Sequence, residues 1–466
     1  MDEKQRLEAL TSEKTEFRRE IGVFGGVSII GGIMIGSGIF YLGSYVLMRT
    51  GMSQGLSLLA WVLGGLISLL GGLCFAELGA SIPRAGGMTV YLNEAFHPLI
   101  GFLNAFSGLL IGSPGSIAAI AIALPTAMRT FFPISDSGIK IIAILLIVGL
   151  TVFNYFGIRP GSRLQSASMI AKLIPIGIIL FASLFLGKVS PDLSMVPEAG
   201  PVGFGKLVSM VAFAVIATLW AYEGWTNLNN VTEEVKNPRR NLPLALIIAI
   251  GGITILYTLF NYGIYRVLPF DQIKAFIESG NYYLGTEAAK ATLGNAGAVV
   301  VTVAMVLSMF GSLNGCILAF PRTYYAMAEE GHFFHAFAEL HPKYKVPATG
   351  LIVQCIISVI LVLVRNLDQL TSLVIFTSVL YNMLTVLAVI RLRKKYPDIP
   401  RPFKIWGYPF TVILTALIFL GLVINTFIED PVSAITGMVI PVIGTVVYIL
   451  FDRYRKKEAA AAARKN

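Results

Sequence analysis

IMIGSGIF, at Ile33–Phe40, breaks an apolar stretch with two glycines and a serine, and TLWAYEGWTN, at Thr218–Asn227, breaks another with a glutamate, a glycine and hydroxyl and amide side chains. Glycine tolerates dihedrals outside the helix, and a hydroxyl can bond the backbone groups that unwinding frees. Both stretches lie in the middle of segments long enough to cross a bilayer, where an unpaired backbone group is costly unless something uses it. Paired breaks of this kind are the best sequence pointer to the substrate site of a transporter.

Working outward, 55% of the 466 residues are hydrophobic and only 13% are charged. Soluble proteins carry roughly 25% charged residues, so this is an integral membrane protein. Apolar stretches matched to a hydrocarbon core of ~30 Å predict spans near 21–46, 55–79, 96–128, 138–157, 165–187, 205–232, 242–267, 293–328, 348–364, 368–391, 408–427 and 432–452. The expected fold is all-α and polytopic, about twelve transmembrane helices. The longest segments outside them, near 188–204, 268–292 and 329–347, are each about twenty residues, too short for a separate aqueous domain. Cys74, Cys316 and Cys355 all fall within spans, so no disulfide framework is expected.

The net charge of +10 could indicate nucleic acid, but its distribution excludes that reading. With the N-terminus cytoplasmic, and counting those within six residues of a span end with the adjoining side, 26 of the 36 Lys and Arg fall on the inner side and nine on the outer, and one, Lys172, lies deeper inside a span. The positive-inside rule therefore puts both termini in the cytoplasm. Residues 1–20 are charged and polar and contain no signal-peptide core, so the first span is expected to direct insertion.

With that orientation the first and sixth spans run in opposite directions, as in an inverted repeat of two five-helix units. The expected organisation is a cytoplasmic segment at 1–20, a first repeat at 21–187, a second at 205–391, two further helices at 408–452 and a cytoplasmic tail at 453–466. The half-helix beginning near Ile39 offers free N–H groups and a positive dipole end, suited to a carboxylate. Carbonyls around Met34 and Ile35, and those left at Trp220–Glu223, suit an ammonium. One end for each charge describes an α-amino acid. The competing reading is that the glycines only permit close helix packing, and it weakens once both breaks are considered together. Trp220 lies at the break, where its ring could close over a substrate; Trp225 is read as packing.

WAYEGWTNLNNVTEEVKNPRRNLP at Trp220–Pro243 resembles the L-type amino acid transporter family of the amino acid–polyamine–organocation superfamily. So do IGSGIF at Ile35–Phe40, FAELGASIPRAGG at Phe75–Gly87, FGSLNG at Phe310–Gly315, Arg322 with EEGH at Glu329–His332, and YPDIPRPFK at Tyr396–Lys404. The resemblance runs through nearly the whole chain in order. It implies a LeuT-like fold and sodium-independent exchange of amino acids at the plasma membrane, with no enzyme activity and no cofactor or metal. Residue by residue, it implies carboxylate binding at Gly36, Ser37, Gly38 and Ile39, and amine binding at carbonyls of Met34, Ile35, Trp220 and Glu223. Trp220 takes the position of the gating aromatic, and Thr226 and Asn382 match positions lining the side-chain pocket.

Two departures stand out. The external loop between spans three and four, Arg129–Lys140, has no cysteine, so no disulfide-linked heavy subunit is expected. Glu223 replaces the glycine of animal relatives, which leaves cationic substrates or proton coupling open. Lys172 lies seven residues into the fifth span, about 10 Å deep at 1.5 Å per residue. It could snorkel to the surface. The family match implies instead an ammonium where sodium sits in coupled relatives, bonded to carbonyls of the break and to a residue of Phe310–Gly315.

Other motifs carry little. GMSQG at Gly51–Gly55 follows no strand, and NVT at Asn230–Thr232 is a sequon at a cytoplasmic helix end. His332, His335 and His341 lack acidic or thiol partners and are read as part of an interfacial helix whose Phe333, Phe334 and Phe337 touch the membrane surface. Glu77 is read as a structural hydrogen-bonding group closing the second span. The reading is an alternating-access exchanger of neutral L-amino acids, small ones such as alanine, serine and threonine, in the plasma membrane; its alternatives are a proton-coupled symporter using Glu223 and a non-transporting amino acid sensor.

Overall fold

The computed structural model describes residues 3–36, 38–129, 132–329, 331, 333–364, 367–429 and 431–463. Its α-helices are α1 (Glu3–Thr11), α2 (Val23–Met34), α3 (Gly38–Arg49), α4 (Gln54–Ser81), α5 (Met88–Ala95), α6 (Pro98–Ser107), α7 (Ser113–Met128), α8 (Asp136–Tyr155), α9 (Ile158–Leu186) and α10 (Phe204–Ala221). They continue with α11 (Asn227–Asn230), α12 (Pro238–Val267), α13 (Phe270–Glu278), α14 (Leu284–Leu293), α15 (Asn295–Ala319), α16 (Pro321–Glu329), α17 (Ala348–Val364), α18 (Leu367–Lys395), α19 (Phe410–Glu429) and α20 (Pro431–Ala463).

Among the described residues, eight helical segments are long and apolar enough to cross a membrane, and α2 with α3, bent by 53° at the first break, brings the number to nine when the pair is counted as one span. The chain is a multi-pass, all-helical membrane protein. The third predicted span is not one regular helix: α6 and α7 are joined by a π-helical turn at Gly108–Gly112. The eighth, Asn295–Glu329, is interrupted at Phe320 between α15 and α16, because Pro321 cannot donate the backbone hydrogen bond that would continue α15.

Helix α12 packs along α4 and α2, and α15 along α9 and α7. Small residues permit this closeness in lipid, where packing rather than hydrophobicity drives association. A Cβ on Gly65 would sit 2.2 Å from Thr254 Oγ1, and one on Gly72 2.5 Å from Ile250 Cδ1, so α4 and α12 can meet only over glycine.

Both ends of the described chain lie on one face. Arg6 of α1 pairs with Glu94 of α5, while Phe451 near the end of α20 packs on Phe334. On this terminal face the start of the first broken span meets the end of the second: Ile21 N–H donates to Glu234 O at 3.0 Å and Lys236 N–H to Ile21 O at 2.8 Å. Buried ion pairs seal the face, Arg322 with Glu234 at 2.6 Å and Arg84 with Glu233 at 3.2 Å.

The loop at 333–347 corrects one expectation. It holds a 3-10 turn, His335–Ala338, and Phe333 and Phe337 turn inward against one another and Phe102, Tyr324 and the bundle, leaving Phe334 exposed at 61%. An apolar pocket at the ends of α6 and α16 competes for these rings and wins. His332 lies outside the described residues. Glu77, as expected, is structural: it pairs with Arg393 through both oxygens and accepts from Ile405 N–H at 2.7 Å.

Candidate substrate site between two broken helices

Helix α2 stops at Met34 because Ile35 leaves the helical region, with φ −79° and ψ 82°. Gly36 N–H turns back to Met34 O at 2.9 Å, and α3 resumes at Gly38. The first N–H groups of α3, from Gly38 and Ile39 onward, have no partner within the helix. Ser37, between them, lies outside the described residues. The side chain of Ile39 is buried in the core, so any contribution it makes to a ligand is through its backbone.

The second break opens after Ala221. Tyr222 N–H still reaches Thr218 O at 3.0 Å, Glu223 N–H reaches Trp220 O at 3.3 Å, and Gly224 adopts φ +123°, a left-handed conformation that only glycine takes readily. Gly224 is also where the two breaks touch, since a Cβ there would lie 2.5 Å from Ile33 Cγ2. Tyr257 of α12 reaches both: its hydroxyl lies 2.7 Å from Met34 O and 3.2 Å from Ala221 O. Met34 O thus has Tyr257 and Gly36 N–H at its two lone pairs.

Lys172 of α9 is wholly buried, so it does not snorkel. Its ammonium donates to Gly32 O at 2.8 Å, Ile35 O at 2.7 Å and Ser308 O at 3.2 Å. The partner on α15, Ser308, falls two residues before the predicted Phe310–Gly315 segment. Gly311 explains the offset: a Cβ there would stand 3.1 Å from Lys172 Cε, so the lysine arm lies across the glycine and its tip reaches the preceding turn. Ser312, within the predicted segment, instead donates to the end of α2, at Gly32 O (2.8 Å) or Ile33 O (3.0 Å).

Met34, Gly36, Gly38, Trp220, Glu223 and Thr226 line one cavity of about 520 Å³. That size lies within the range of ~300–1,000 Å³ usual for small-molecule sites. Among the described residues lining it, Glu223 is the only charged one. Its carboxylate accepts from Ser378 Oγ at 2.9 Å, on α18. Trp220 is half-buried and lines the cavity, while Trp225 is buried and packs edge-on to Phe75 at 4.9 Å. On α18 the wall is made by Thr377, Ser378 and Tyr381. Asn382 lies one turn beyond Ser378, its Nδ2 3.5 Å from that hydroxyl, behind the wall rather than in it.

A model of the amino acid permease family matches residues 21–451. The chain belongs to the amino acid permease family. This permease is 31% identical to the serine/threonine exchanger SteT of Bacillus subtilis over 94% of its own length and 98% of that protein's. It is 30% identical to the mouse b(0,+)-type amino acid transporter 1, covering 95% of this chain and 89% of the relative. It is 31% identical to the human large neutral amino acids transporter small subunit 2, over 93% and 80% respectively. The permease is a transporter of amino acids and not an enzyme. Among its described residues, no group of three His, Cys, Asp or Glu is arranged to hold a metal ion.

Tyr257, Ser312 and Ser378 bear on the site and were not picked out from sequence. Ser312 sits inside the quoted FGSLNG motif and was within reach. Tyr257 sits in an otherwise unbroken apolar helix, and no local signal distinguishes it.

Proposed function

We propose that this permease exchanges neutral L-amino acids, including small ones such as alanine, serine and threonine, across the plasma membrane by alternating access and without sodium. The observation that carries the proposal is Lys172, whose ammonium bonds two carbonyls of the first break and one of α15. A fixed cation there supplies the charge that a mobile cation would otherwise bring, and the break keeps its shape with no ion bound. In this reading the N–H groups of Ser37, Gly38 and Ile39 take the substrate carboxylate, Gly36 N–H being turned back to Met34 O, and carbonyls of the two breaks take its ammonium. Met34 O has two partners already and Ile35 O is held by the Lys172 ammonium, so Trp220 and Glu223 carry more of the amine binding. Trp220 closes over the bound molecule, and Thr226 meets its side chain, with Asn382 steadying Ser378.

The proposed architecture has twelve spans, a LeuT-like pair of inverted five-helix repeats at 21–187 and 205–391 with helices 408–452 outside it, and both termini in the cytoplasm. The excess of Lys and Arg on the terminal face supports that orientation. The absence of cysteine from Arg129–Lys140 supports a subunit that works without a disulfide-linked partner.

Purified protein in liposomes tests the proposal. Labelled serine or alanine should enter vesicles preloaded with amino acid and fail to enter empty ones, equally with and without sodium. A methyl ester or an N-acetyl derivative should compete poorly, because each leaves buried polar groups unpaired at about 1–3 kcal/mol apiece. Uptake that requires sodium overturns the role of Lys172; efficient competition by either derivative overturns the site. One observation favours a second reading, proton-coupled symport: Glu223 is the only charged group among the described residues lining the cavity.

A further inference from the structure

The π-helical turn at Gly108–Gly112 forms part of the cavity wall, and its first and last residues, Gly108 and Gly112, both line it. Neither glycine is required by its backbone, since Gly108 (φ −58°, ψ −49°) and Gly112 (φ −55°, ψ −57°) are right-handed helical and any residue adopts those angles. Neither is required by packing. A Cβ on Gly108 would meet only Ser113 Oγ, at 3.7 Å, and one on Gly112 only the Ser107 carbonyl, no nearer than 3.6 Å. These are ordinary contacts, unlike those at Gly65, Gly72 or Gly311, where a neighbour fills the space. Glycine inside a helix is less stable than alanine, so these two positions carry a cost that the protein's own fold does not explain. What the missing side chains leave is room in the cavity.

We propose that Gly108 and Gly112 set the largest side chain a substrate can carry, and that the room they leave admits aliphatic side chains of leucine size. Ile120, Met305 and Met309 line the same cavity along with Ser113 and Ser116, so an aliphatic side chain held there has apolar partners within the cavity, and methionine adapts to irregular shapes. The inference rests on the substrate site proposed above and extends its range beyond alanine, serine and threonine.

The test compares kcat/KM for leucine and for alanine in liposome exchange, in the wild type and in Gly108→Ala, Gly112→Ala and Gly112→Leu. The wild type should exchange both. The leucine-to-alanine ratio should fall about tenfold in each alanine variant, the scale of one methyl group in an apolar pocket, chiefly through KM for leucine, and further in Gly112→Leu. Should Gly112→Leu fail to purify in a folded state, the alanine variants decide, because their methyl groups displace nothing. An unchanged ratio, a parallel loss of both substrates in folded variants, or a wild type that exchanges alanine and excludes leucine overturns the inference. A wild type that exchanges no amino acid overturns the underlying site as well, which separates the two failures.

Discussion

An ammonium in a membrane interior is costly unless its donors are met, and Lys172 meets that demand with three carbonyls and no carboxylate. Two of those carbonyls belong to the unwound end of α2, so lysine and break stabilise one another. Lys172→Ala removes the cation and leaves buried acceptors unpaired, a loss of about 1–3 kcal/mol for each group left without a partner. Exchange by the variant should fall at least about tenfold in kcat/KM while the protein still inserts, since each 1.4 kcal/mol is tenfold. Unchanged kinetics would leave sodium independence without an explanation. Trp220 makes a different demand, because it packs on the core while also lining the cavity. Trp220→Ala should therefore lower turnover more than thermal stability, measured as exchange rate against melting temperature on the same preparation. A loss confined to stability would make Trp220 a packing residue like Trp225.

At the scale of elements, the two breaks were legible because residues that destabilise a helix stand inside runs otherwise fit to cross lipid, and Gly36, Gly38, Glu223 and Gly224 do line the cavity. The π-turn was not legible, since SGLLIGSPGS reads as small residues in one continuous span and nothing local fixes a shift of one hydrogen-bond register. Nor was the role of the N-terminal segment, whose charges read only as topology signals. It forms a strap across the terminal face: Arg6 grips the buried Glu94, Thr15 donates to Glu233, and Arg19 donates to Val235 O at 2.7 Å. Phe17 is clamped edge-on against Tyr325 at 5.1 Å. Because the strap is tied to the end of the second broken span, any opening of the cavity toward this face has to loosen it. Deleting residues 1–19 should favour the state open on the terminal side by on the order of tenfold, the effect of about 1.4 kcal/mol of lost contacts. Labelling of Cys316, which lines the cavity, by a thiol reagent applied from that side reports the change, and an unaltered rate would make the strap a passive cover.

For the whole molecule the open question is what drives transport, and two charged side chains, Lys172 and Glu223, answer it differently. Lys172 is fixed on carbonyls, and a charge that does not move stores no gradient; it fits exchange, in which each half-cycle needs a bound amino acid. Glu223 lies on the cavity wall with Ser378 as its hydroxyl partner, and a carboxyl group there can change protonation as the cavity faces one side and then the other. The two mechanisms separate in vesicles containing no amino acid. Exchange predicts no accumulation under a proton gradient, acid outside, and no effect of Glu223→Gln on whether preloading is required. Symport predicts accumulation driven by that gradient and lost in Glu223→Gln, which keeps a partner for Ser378 but cannot carry the proton. Accumulation in empty wild-type vesicles would therefore overturn obligatory exchange and move the coupling role from the fifth span to the second break, while its absence would leave Glu223 to act on substrate choice alone.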